Sequence, residues 1–213
     1  MVPIRENLVP KDKYAIKCPY TRTPTRVVIH NTANDAPAAN EISYMRYNDL
    51  EISFHYAVDN VNIVQGIPEN RNAWASGDGH GKGNMEGIHI EICYSKSGGK
   101  KFDKAEQNAA EFTANLLKKY GWGIDKVTKH RDYDGKYCPH RTLDRGWQRF
   151  LSMVKRYMEP AKAPVASKFT PYLIRKNCRD ALNIRKGPST NYGILGQIKN
   201  TLRYTIVEER SGP

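Results

Sequence analysis

Three side chains able to bind a soft or borderline metal ion stand out by type and setting. His130 and Cys138 lie eight residues apart in Lys129-His-Arg-Asp-Tyr-Asp-Gly-Lys-Tyr-Cys-Pro-His, a loop whose Asp and Gly content lets it fold two ligands toward one point. His30 closes an apolar run, Val27-Val-Ile-His-Asn-Thr. Together the three would hold one zinc ion (Zn2+) and leave its fourth tetrahedral position to water, as catalytic rather than structural zinc sites do. Spacing across about a hundred residues is a weaker sign than a local zinc-finger pattern, and His30 taken singly also fits a hydrogen-bonded core histidine. In Gly87-Ile-His-Ile-Glu-Ile-Cys, strand alternation sets Ile88, Ile90 and Ile92 on one face and His89, Glu91 and Cys93 on the other. A carboxylate on so apolar a strand is either chemistry, a structural salt bridge or a solvent-facing sheet surface.

The elements that must position these residues read as α/β. Residues 26–32, 53–59, 62–67 and 87–93 have strand patterning and alternate with helical patterns, which indicates a layered α/β fold. The clearest helix is expected over 104–120, where Ala109, Phe112, Leu116, Leu117 and Tyr120 share one stripe. Asp103 and Glu106 resemble a capping box at its start, and Gly121 marks its stop. Further helices are expected at 38–47 and 143–158. Residues 159–169 combine prolines and small residues without hydrophobic periodicity, the composition of a linker. The expected division is therefore a domain at 1–158, a linker at 159–169 and a small unit at 170–213.

With 213 residues the chain has room for one ordinary domain and an appendage. No apolar run approaches the roughly 18 residues of a membrane span, so no membrane insertion is expected. The charged start Met1-Val-Pro-Ile-Arg-Glu lacks the apolar stretch of a secretory signal, which points to synthesis in the cytoplasm. Four dispersed cysteines without a CxxC pair suit thiols or metal ligands better than a disulfide framework. The formal net charge of +12 implies a polyanionic partner, whether nucleic acid, anionic membrane or wall polymer. No nucleic-acid-binding motif accompanies it, so nucleic acid is not expected. The excess concentrates in residues 160–213, with 10 Lys and Arg against 3 Asp and Glu.

Five ordered segments carry a resemblance: Val28-Ile-His-Asn-Thr, Ser53-Phe-His-Tyr-Ala-Val-Asp, Asn72-Ala-Trp-Ala, Ile90-Glu-Ile-Cys-Tyr, and Thr128-Lys-His-Arg-Asp through Lys136-Tyr-Cys-Pro-His. In this order they resemble the N-acetylmuramoyl-L-alanine amidases of the amidase-2 type, above all amidase endolysins of phages and prophages of Bacillus-like hosts. The resemblance covers about residues 1–158. It implies a central mixed β-sheet flanked by helices, the fold shared with animal peptidoglycan-recognition proteins. It implies zinc ligands at His30, His130 and Cys138, a general base at Glu91, and at Lys136 a basic residue that stabilises carbonyl charge or holds a substrate carboxylate. Lys136 also fits a solvated loop charge. His55 and Trp74 match motif positions near the substrate groove. One departure is Ala73-Trp-Ala, where many relatives have Ala-Trp-His, so Ala75 is given no catalytic role. His140 reads as a structural neighbour, since a fourth protein ligand would close the site to water.

The implied activity is hydrolysis of the amide between the lactyl group of N-acetylmuramic acid and L-alanine in peptidoglycan. A chain made without a signal would act as an endolysin, held in the host cytoplasm until a holin-type pore releases it to the wall. The competing reading is a non-catalytic recognition protein on the same fold, which typically lacks a zinc ligand. In the tail, Leu182-Asn-Ile-Arg with the following Gly-Pro resembles the bacterial SH3 family of small all-β, wall-binding barrels. Strands are expected at 172–178, 182–185, 194–198 and 204–207, with the barrel truncated before its last strands. Oligomeric state leaves no mark in the sequence.

Overall fold

Strands that are apolar on both faces belong in the middle of a sheet, with the neighbours supplying cover. A computed structural model of the protein, describing residues 1–159, 172–175, 181–186, 190–199 and 203–206, bears this out. The first unit, Met1–Ala161, holds strands Ile4–Glu6 (β1), Arg26–Asn31 (β2), Tyr56–Val58 (β3), Ile63–Gln65 (β4), Gly87–Ile92 (β5) and Val127–Lys129 (β6). Their order in the sheet is β1-β4-β3-β5-β2-β6. Only β3 and β4 pair antiparallel; the other neighbours are parallel, which makes the sheet mixed, as the sequence implied.

The helices are Tyr14–Lys17 (α1), Ala38–Tyr47 (α2), Lys82–Glu86 (α3), Gly99–Tyr120 (α4), Arg131–Asp134 (α5), His140–Asp144 (α6) and Trp147–Met158 (α7). Helix α4 packs on β5 and α7, and Phe102, Ala109, Phe112 and Phe150 join Ile88, Ile90 and Ile92 in the buried core. The register sets Val28 beside His89 and His30 beside Glu91, so the strand face opposite the three isoleucines carries the polar side chains.

Two helix expectations need correction. Helix α4 starts at Gly99, a turn earlier than the supposed capping box. Asp103 and Glu106 are instead bound by α7 and the turn before it. Arg149 donates to Glu106 at 2.6 Å, and Arg145 reaches both carboxylates. The single helix expected at 143–158 is two helices, because Gly146 adopts φ 98 and breaks the run between α6 and α7. The stop at Gly121 is as expected: its φ is 68, and the Trp122 N–H closes the end by donating to the Leu117 carbonyl.

Lys17 is buried with its ammonium donating to Asn48 Oδ1 at 2.7 Å and to the carbonyls of Leu50 and Ile52 at 2.5 and 3.1 Å. It thus holds the turn between α2 and β3, whose Ile52 and Phe54 line the cavity described below. Lys17→Met leaves the Leu50 and Ile52 carbonyls without this donor, Asn48 Oδ1 keeping the Leu50 N–H, and is expected to cost about 3 kcal/mol of stability. Urea denaturation of variant and wild type checks this.

In the second unit, Lys162–Pro213, Leu182–Arg185 (β8) pairs antiparallel with Ile194–Ile198 (β9), and Tyr172–Arg175 (β7) with Arg203–Ile206 (β10). These four strands fall where strand patterning put them, within a few residues. The linker expected at 159–169 lies outside the described residues after Glu159, as does Cys178. Cys18, Cys93 and Cys138 are buried free thiols. Among the described residues no helix is long and apolar enough to cross a membrane.

Candidate active site

Three strand ends and one closed loop build the site. β2 delivers His30 at its C-terminal end, and the adjacent β5 delivers Glu91 on the same face. β6 leads into His130 at the start of α5. The chain then doubles back: the Arg131 N–H donates to the Cys138 carbonyl at 3.0 Å, and the Lys136 N–H to Asp134 Oδ1 at 2.8 Å. This closure is what converts an eight-residue separation into proximity. Asn31 secures the far side by accepting the Thr142 N–H at 3.2 Å, which ties α6 to the end of β2.

One ligand atom from each of His30, His130 and Cys138 lies within 4.8 Å of the others. The Nδ1 atoms of the two histidines are 3.1 Å apart, and Glu91 Oε1 stands 4.0 Å from His30 Nδ1. Donors on a zinc ion with bonds of about 2.0–2.3 Å sit roughly 3–4 Å from each other, so the set has the size and chemistry of a zinc site. His130 Nε2 donates to Asp134 Oδ2 at 3.0 Å, which leaves Nδ1 as the free lone pair. Asp134 can approach because residue 77 is glycine: a Cβ there would stand 2.2 Å from Asp134 Oδ2, and the φ of 67 disfavours any side chain.

Burial sets the charge state of the candidate ligands. Burial first, then His89, His130 and Lys136, hold His30 well below the ordinary imidazole value, and burial lowers His130 against the pull of Asp134. Both rings are therefore neutral, the form that ligates. Burial pushes the Cys138 thiol up to about 12, with Glu91 adding to it. Burial also lifts Glu91 to about 8, reinforced by Glu41 and opposed by Lys136. A divalent cation among these atoms would favour the thiolate and the neutral imidazoles together.

His130, Cys138 and Glu91 line a cavity of about 900 Å3 whose walls also include Glu41, Tyr44, Phe54, Trp74 and Tyr137, and His30 is buried against them. Lys136 is exposed on its rim. Trp74 lines the wall, anchored by its indole N–H to the Ile16 carbonyl at 3.0 Å. His140 is in the wall too, but its Nε2 is 3.2 Å from the Ser95 carbonyl and it stays out of the close cluster. His55 does not reach the cavity. It is fully buried, its Nδ1 accepts the His89 backbone N–H at 3.1 Å, and its Nε2 lies 2.9 Å from the Arg71 carbonyl. Asp134 and His89 were not singled out in the sequence. Asp134 had a usable signal, since a carboxylate four residues after His130 shares its helix face.

A mixed sheet flanked by helices, with two imidazoles, a thiol and a buried carboxylate meeting at its strand ends beside an open groove, defines an α/β domain with the arrangement of a hydrolytic site. The chain belongs to the Amidase_2 family, described as N-acetylmuramoyl-L-alanine amidase, which it matches over residues 20–141. It is 50% identical over 181 residues to the N-acetylmuramoyl-L-alanine amidase XlyB of Bacillus subtilis (strain 168), covering 82% of this chain and 57% of that protein. It is 49% identical over 190 residues to the amidase CwlA of the same organism, covering 85% of this chain and 70% of that one. The chain thus spans between about half and two thirds of these relatives. Among solved structures, PlyL is 53% identical with a TM-score of 0.70, covering 71% of this chain and 96% of that one. A structure described as a mutant endolysin from Bacillus subtilis is 35% identical with a TM-score of 0.67, covering 72% and 99%.

Proposed function

We propose that this protein is a zinc-dependent N-acetylmuramoyl-L-alanine amidase that cuts the amide between the lactyl group of N-acetylmuramic acid and L-alanine in peptidoglycan, acting as a phage or prophage endolysin. The observation that carries this reading is the convergence of His30, His130 and Cys138 within 4.8 Å at the groove of a family domain, with His130 and Cys138 in its wall. The likeness to a protein described as an endolysin supports the lytic role. The net charge of +12 suits anionic wall polymers, and the basic tail with its antiparallel strand pairs suits an SH3-like wall-binding unit at 170–213.

His30, His130 and Cys138 would hold the ion. When bound, zinc supplies Lewis acidity toward the scissile carbonyl and toward water. Glu91 supplies the proton traffic: its Oε2 has no hydrogen-bond partner among the described residues, and in its ionised form, which a neighbouring cation would favour, the carboxylate would take a proton from water and return it to the leaving amine. Lys136, on the rim, places positive charge where carbonyl charge develops or where a stem-peptide carboxylate arrives. Trp74 offers an aromatic wall to the substrate. The intact set of candidate ligands favours the enzyme over a non-catalytic recognition protein.

Digestion of purified Bacillus peptidoglycan, with and without chelator, tests the reading. Mass spectrometry and N-terminal analysis should find free L-alanine amino termini and intact glycan, lost on chelation and restored by zinc. New reducing sugars or cuts within the peptide would reassign the bond. Asp134→Ala is expected to weaken zinc binding about 10–100-fold, as loss of a partner to a ligating histidine does elsewhere. Titration against a competing chelator measures it.

A further inference from the structure

His89 is a fully buried imidazole on a strand where isoleucine would pack without penalty, and its Nε2 has no hydrogen-bond partner among the described residues. A buried polar atom left in that state costs about 1–3 kcal/mol and calls for an explanation. Its other nitrogen supplies one. His89 Nδ1 stands 3.0 Å from His30 Nε2, on the side of the His30 ring away from His130. We propose that His89 is a positioning residue: through its Nδ1 it accepts the Nε2 proton of His30 and so holds His30 in the tautomer whose Nδ1 lone pair faces the metal. This inference rests on the zinc reading above.

A neutral imidazole carries a single N–H, so His30 can offer Nδ1 to a metal only with its proton on Nε2. That proton needs an acceptor in a buried place, and His89 Nδ1 is the atom in reach. His89 must then carry its own proton on Nε2. The Gly83 carbonyl oxygen and His89 Nε2 lie on the same side of Gly87. Both groups crowd Gly87, where a Cβ would lie 2.5 Å from the Gly83 carbonyl oxygen and 3.2 Å from His89 Nε2. The ring is fixed against rotation by His55, stacked at 5.6 Å and 17°, which also accepts the His89 backbone N–H. With the opposite tautomer His89 would donate to His30 Nε2, force the His30 proton onto Nδ1 and aim it at His130 Nδ1, closing the site.

Long-range 1H–15N spectra of the 15N-labelled full chain, with and without zinc, read these tautomers directly. The zinc-loaded protein is expected to show His30 protonated on Nε2 and His89 protonated on Nε2 with Nδ1 as acceptor. His89→Leu should weaken zinc binding about 10–100-fold, the usual effect of removing a ligand's outer partner. His89→Asn, whose amide oxygen can take the place of Nδ1, should restore most of that loss, which a packing role alone would not. His89 protonated on Nδ1 in the loaded protein, or full zinc affinity in His89→Leu, overturns the proposal while leaving the metal site intact. Zinc that leaves the His30 and His130 ring signals unmoved overturns the metal site as well. If His89→Leu does not fold, the wild-type spectra decide.

Discussion

Glu91→Gln is expected to keep zinc and the fold yet slow wall cleavage by about 10²–10⁴-fold, the usual contribution of a positioned general acid–base. Glutamine preserves the shape beside His30 and removes the one group there that can take up and return a proton. A ligand would behave differently, losing zinc with activity, so zinc content and turnover measured on the same sample separate the two roles. Unchanged cleavage would remove Glu91 from proton transfer.

The same substitution has a consequence for stability whose sign follows from burial. The Glu91 carboxyl is raised from an ordinary 4.5 to about 8 in the folded chain, by desolvation first and Glu41 second. The fold therefore prefers the protonated form. The stability tied to that preference is complete below pH 4.5, declines as pH rises and is gone above about 8. Glutamine does not ionise, so metal-free Glu91→Gln should gain on the wild type with rising pH, by on the order of 5 kcal/mol above pH 8. Denaturation at pH 4 and pH 9 checks the sign. A residue that weakens the fold at working pH while serving the reaction is the signature of a functional carboxylate.

Much of this site was legible before any coordinates. Strand alternation put His89 and Glu91 on one face of β5, and the pairing with β2 adds that His30 lies level with Glu91. Motif order pointed to His130 and Cys138, and the loop's own hydrogen bonds explain why they meet. His55 shows where such reading stops. It bonds at the level of His89, one step back from Glu91, and a motif position does not say how far along a strand the groove extends. His89 was missed because it meets the second nitrogen of His30 across a strand pair, a relation that exists in space and has no spacing of its own, whereas Asp134 touches His130 at a readable four-residue spacing. The start of α4 was misjudged because Asp103 and Glu106 look the same whether they cap a helix or anchor Arg145 and Arg149 from its second turn.

Cys138→Ser is expected to lower zinc affinity on the order of a thousandfold, because a hydroxyl is a far poorer zinc ligand than a thiolate. The pH dependence makes the result specific to Cys138. Burial holds its thiol at about 12, so near neutrality the metal-free protein carries the protonated sulfur and zinc must displace one proton to bind. His30 and His130 are both lowered from the ordinary 6.5, so they are already neutral and release none. Wild-type affinity should then rise about tenfold per pH unit between pH 7 and 9. Serine does not ionise in that range, so the variant's affinity should rise less steeply, by about tenfold less per pH unit. Calorimetry in buffers of different ionisation enthalpy should count about one proton more released by the wild type than by the variant, Glu91 contributing equally to both. Equal affinities, or a flat wild-type profile, would take Cys138 out of the ligand set. Because the metal-free wild type holds a neutral thiol where the variant holds a hydroxyl of similar size, the two should differ little in stability until zinc is added. Binding then stabilises the wild type alone, by about 2.7 kcal/mol at a hundredfold excess over Kd.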